Sequence, residues 1–89
     1  LKLSDYFTKS NEYRANTLMQ QHEHYLNLAK IERDEGNFDK SLLYSNHATA
    51  ITMELKRMHK QKLSTDEAIK LLEQNKQGLC SGLFNERWR

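Results

Sequence analysis

A chain of 89 residues is one domain at most, and one with a modest core. It contains no proline, no valine and a single cysteine, Cys80, which argues against a disulfide-stapled secreted scaffold and against a β-sheet fold. The net charge of +2 is too small to imply a polyanionic partner, and no apolar run approaches the ~20 residues of a membrane span.

The first predicted helix runs from about Ser4 to about Asp34. Ser4 is a capping residue and Asp5 lies in the first turn, where the positive end of the helix dipole favours an acid. Leu18, His22, Tyr25 and Ala29 recur at steps of four, three and four, which is one helix face. Leu3, Tyr6 and Phe7 form a second apolar cluster nearer the start, and the face between the two clusters is weaker. Gly36 then stands where a helix end requires a left-handed residue, and Asn37 is a good cap for the next helix. So short a connection folds the second helix back antiparallel, with Phe38 anchoring the turn on the core.

The second predicted helix runs from about Phe38 to about Gln61, with Phe38, Leu42, Ala48, Ile51, Leu55 and Met58 on one broad face. Lys56, Arg57, His59, Lys60 and Lys62 crowd its C-terminal end, where cations complement the dipole. Ser64 followed by Glu67 has the spacing of a capping box and predicts a third helix from about Thr65 to about Glu86. Its stripe is Ala68, Leu72, Leu79 and Leu83, with Ile69 and Cys80 beside it, and Gly78 and Gly82 weaken it. The expected fold is all-α: an antiparallel up-down-up three-helix bundle, residues 1–89, with a long first helix whose Tyr6 and Phe7 overhang. A first residue other than methionine further leads us to expect a piece of a longer protein.

No constellation of catalytic type is present. His22 and His24 are two apart and His47 and His59 twelve apart, spacings that do not suit a zinc site, so no metal or cofactor is expected. Gly78–Gly82 lacks the preceding strand and following Lys-Ser or Lys-Thr of a phosphate loop. Cys80 lies among apolar residues and reads as a small core side chain. Residues 1–37 carry five basic and six acidic side chains, residues 54–89 eight and five. The basic run Lys56 to Lys62 is either a solvated helix end or a contact for an acidic partner. Leu28, Ile31, Leu43, Met53 and Leu71 fall off the stripes and are expected at a rim.

Tyr25, Ala29, Gly36-Asn37-Phe38, Ser41, Tyr44 and Ala48 resemble the helical-hairpin pattern of tetratricopeptide-like and MIT (microtubule interacting and trafficking) domains. The resemblance spans about residues 22–55, and the lack of a second copy favours the MIT-like form. It implies a non-enzymatic adaptor that takes a partner helix or peptide tail, such as those of ESCRT-type membrane-remodelling subunits, in a groove between helices two and three. Ala48, Leu55, Met58, Leu72, Leu79 and Leu83 would line that groove, with Lys56, Lys60 and Lys76 at its rim for an acidic tail. A second resemblance, in Glu12-Tyr13-Arg14-Ala15 and Gly36 to Ser41, is to the small helical domain that often precedes Smr nuclease domains, and implies an RNA-associated helper. A third expectation is homodimerisation through Tyr6 and Phe7. The composition fits a reducing compartment, cytoplasm or nucleus.

Overall fold

A computed structural model describes the backbone of residues 1–80 and the side chains of residues 1–74. The protein is all-α. Helix α1 (Leu3–Tyr6) and a 3-10 turn (Lys9–Asn11) lead into α2 (Glu12–Asp34), and α3 (Phe38–Cys80) returns antiparallel to it. Two long helices therefore make a hairpin, and they are unequal: α2 has 23 residues and α3 has 43.

The turn between them follows from Gly36. Its φ is +81°, and it is the one described residue with a positive φ. Its N–H donates to Arg33 C=O at 3.0 Å and the Asn37 N–H to Glu32 C=O at 2.8 Å. This pair is the Schellman closure, which satisfies carbonyls the helix end would otherwise leave bare. Asn37 then accepts the first bond of α3, from the Ser41 N–H at 3.0 Å, while its side-chain amide donates to the Glu32 carboxylate at 2.8 Å. A Cβ at position 36 would meet nothing within 4 Å. Gly36→Ala is therefore expected to cost only the left-handed backbone penalty, about 1–2 kcal/mol, read as a lowered urea midpoint with unchanged slope.

Small residues let the helices approach. Ala15, Ala29 and Ala48 are buried, as is Ile51, and the Ser41 hydroxyl donates to the Ala29 carbonyl at 2.8 Å. Phe38 does not anchor this turn: it is 67% exposed, and Leu42 61%. The face that α2 covers passes through Ser41, Tyr44 and Ala48, and Phe38 and Leu42 stand beside it. At the open end of the hairpin, Phe7, Ala15 and Met58 form a buried cluster, packed by Leu3, Leu18, Met19 and Leu55.

The first predicted helix is not continuous. Phe7 is extended (φ −134°, ψ 150°), and α2 begins only at Glu12. The intervening Thr8, Ser10 and Asn11 are residues whose side chains compete with helical backbone bonds. The break turns Phe7 inward, where it is 4% exposed, so it does not overhang and is not available to a second copy. Tyr6 lies against His59, with ring centroids 5.7 Å apart, and His59 Nδ1 meets the Tyr6 carbonyl at 2.8 Å. A carbonyl only accepts, so Nδ1 carries the proton. The first helix is thus short, and α3 is the longest element.

The predicted turn at Ser64 is also absent. α3 runs through it, so the described residues form no third antiparallel helix and no up-down-up bundle. Two contacts span the expected break: Thr65 Oγ1 donates to Gln61 C=O at 2.9 Å, and Lys62 pairs with Asp66 at 2.9 Å. A capping box requires a non-helical residue at its first position. No glycine or proline between Met58 and Gln77 releases the helix, so Ser64 and Glu67 stay on its surface.

Candidate functional site

α2 begins at Glu12, and Asn11 marks the end of its cover by donating to Gln61 Oε1 at 3.0 Å. Beyond that point α3 continues to Cys80 as a single helix, a projecting arm about 28 Å long at the α-helical rise. Within the hairpin, the covered positions of α3 are Ser41, Tyr44, Ala48, Ile51, Leu55, Met58 and Lys62, each buried or half-buried. They alternate steps of three and four, the heptad seam of paired helices. The same alternation carries on to Thr65, Ile69 and Leu72, and in sequence register to Lys76 and Leu79. Ile69 is 50% exposed and Leu72 67%. The arm thus extends the hairpin's own seam with nothing from α2 upon it.

The expected groove residues are not brought together. Ala48 and Met58 are 2% and 0% exposed, consumed by the hairpin core, and Leu55 is half-buried. Leu72 stands on the arm. Leu79 and Lys76 fall in α3 outside the described side chains, and Leu83 outside the described residues. Lys56 and Lys60 line a shallow depression with Met53 and Arg57 on the side of α3 turned away from the seam. Of the basic run, Arg57 is engaged by Glu54 (Nε to Oε1, 3.1 Å) and Lys62 by Asp66. Ile31, Leu43, Met53 and Leu71 are exposed as anticipated, and Leu28 is half-buried.

Charge on the arm is sorted by edge. Counting from the seam positions Thr65, Ile69 and Leu72, one flank carries Asp66 and Glu73 and the other Gln61 and Ala68. Asp66 is answered by Lys62; Glu73 is exposed and has no ion-pair partner among the described residues. No family model, no curated protein and no solved structure matches this chain.

Other polar features belong to the hairpin itself. Tyr25 stacks on His47 (centroids 4.9 Å, planes 19° apart) and on Tyr44 (6.2 Å, 28°), bridging α2 to α3. No group of three His, Cys, Asp or Glu among the described residues is placed to hold a metal, and no described helix is long and apolar enough to cross a membrane. Glu54 lies between Arg57 and Arg14, the latter reaching it from α2 at 3.8 Å. The hydrogen bond from Arg57 holds the Glu54 carboxyl below its ordinary range; partial desolvation opposes this, and the charges of Arg57 and Arg14 add to it. A carboxyl depressed on folding stabilises fully above its unfolded pKa and loses that contribution as pH falls through the lowered folded value. Glu54→Gln is accordingly expected to flatten part of the acid limb of stability against pH, measured by urea midpoints between neutral and strongly acidic buffer.

The uninterrupted three-four alternation from Ser41 to Leu79 marks one helix, whereas the Ser64–Glu67 spacing is short and local. His59 as the tie for the N-terminal segment has no sequence signature, because its partner is a backbone carbonyl.

Proposed function

We propose that this chain is a non-enzymatic protein-interaction module. The hairpin is a small packed head, and the α3 arm offers a helix-pairing stripe to a partner protein. The observation that carries this reading is the exposure of Ile69 and Leu72 on the same heptad seam that α2 covers a few turns earlier. A half-buried or uncovered apolar stripe on a helix is the surface that a second helix recognises. The adaptor role implied by the MIT-like pattern is compatible with this, with the contact moved from an inter-helix groove to the arm, because α3 passes straight through the place where that groove would form. An ESCRT-type tail is one occupant of the right kind.

The reading is tested by capture from a cell extract with the intact protein and with the double variant Ile69→Asp/Leu72→Asp. Both positions lie outside the core, so the variant keeps the head's melting temperature. Partners retained by the wild type and lost by the variant support the arm. Equal capture by both, or partners lost instead on Lys56→Glu/Lys60→Glu, moves the site off the arm.

A further inference from the structure

We infer that the arm takes an amphipathic helix lying antiparallel to α3, in line with α2, and carrying basic residues along the edge that meets Asp66 and Glu73. This rests on the reading of the arm as the pairing surface and adds its partner's orientation and charge.

Orientation follows from the head. α2 already occupies the seam up to Gln61 and runs antiparallel to α3. A partner helix on the arm in that same direction ends where α2 begins, so that the two follow one another along a single stripe. A partner parallel to α3 would instead bring its positive N-terminal end against the N-terminus of α2 at Glu12, where the two helix dipoles oppose each other. The path is open because the chain's own N-terminal segment leaves it. Extended Phe7 breaks the helix, and α1 is held against His59 rather than continuing upstream of α2 along the arm.

Charge follows from the flanks. In an antiparallel pair, like edges meet: the flank bearing Asp66 and Glu73 faces the corresponding flank of its partner. A second copy of this chain would set Asp66, already paired with its own Lys62, against Glu73 of its neighbour, twice over, because the arrangement is two-fold, and would bring Glu73 no cation on that edge. Like charges facing across a helix pair oppose association. A helix with Lys or Arg on that flank finds the exposed Glu73 carboxylate, which has no ion-pair partner among the described residues. The opposite flank, Gln61 and Ala68, has no charge to satisfy and a small side chain that permits close approach.

Two synthetic helices of three heptads serve as probes, identical in their Ile and Leu seam and differing only in Lys or Glu at the flanking e positions. Each is titrated into the full chain and followed by amide shifts, with a spin label at the peptide's C-terminus. The Lys-flanked helix is expected to bind at least tenfold more tightly, to weaken with salt, and to lose its advantage in Glu73→Gln/Asp66→Asn. Its label should broaden amides near Lys62 and Asn11 rather than those near Gln74. Equal binding of the two peptides, or broadening at the far end of the arm, overturns the inference. So does concentration-dependent sedimentation of the chain alone that Ile69→Asp/Leu72→Asp removes, since the occupant is then a second copy. If neither peptide binds but Ile69→Asp/Leu72→Asp still loses captured partners, the charge and orientation fall and the arm reading survives. If that variant also captures normally, both fall.

Discussion

Met58→Ala is expected to lower the melting temperature by roughly 8–40 °C. Met58 has no exposed surface and joins all parts of the open end of the hairpin: Phe7 from the N-terminal segment, Ala15 from α2, and Leu55 from its own helix. Truncating a buried methionine costs about 2–5 kcal/mol. Domains in general hold about 5–15 kcal/mol, and a small two-helix head stands at the low end. Thermal unfolding by circular dichroism reads the loss. Met53→Ala is the matched control: Met53 is 66% exposed, and surface truncations of that kind stay within about 0.5 kcal/mol. Equal effects at the two positions would mean that the register of α3 against α2 is wrong.

Ala48→Leu should be damaging for the opposite reason. Ala48 is 2% exposed between the two helices. Additional methylenes there force the backbones apart, at about 1–3 kcal/mol, and lengthening the separation also strains the Ser41 to Ala29 bond nearby. Ala50→Leu, on an exposed position two residues on, should be silent. Denaturant midpoints compare the pair directly. A silent Ala48→Leu would show that the hairpin is held elsewhere than at its small residues.

Much of this architecture was present in local chemistry. The Gly36-Asn37 turn could be anticipated because only one residue type fits the left-handed position at low cost, and the Tyr25–Ala29 stripe because α2 packs on one face throughout. The misplaced elements were those where a local pattern competed with a non-local one. Ser64 and Glu67 form a good capping box, yet a cap acts only where the helix stops, and Thr65 and Asp66 are tied back to Gln61 and Lys62 inside a continuous helix. Phe38 looked like an anchor by its size, but the helices are drawn together at Ala29 and Ser41, which leaves a phenyl ring no room between them. Phe7 went the other way: its burial depends on a backbone break among Thr8, Ser10 and Asn11, whose weak helix preference was visible but whose direction of turn was not. The candidate site was legible as a set of apolar positions. Assigning it to a groove followed from the assumed turn, and its separation into a consumed part, Ala48 and Met58, and an available part, Ile69 and Leu72, follows from the unequal lengths of α2 and α3.

The projecting arm exists only because α3 passes through Ser64 without turning. Spin labels at Lys56 and Gln74, in a Cys80→Ser background and diluted with unlabelled protein, measure this by double electron–electron resonance. Both positions are exposed, so the labels leave the core intact. A continuous helix predicts a single narrow distribution near about 27 Å, set by the helical rise. A distribution far shorter, close to the about 10 Å axis spacing of packed antiparallel helices, would mean that the chain folds back at Ser64, and that there is no projecting arm to bind a partner.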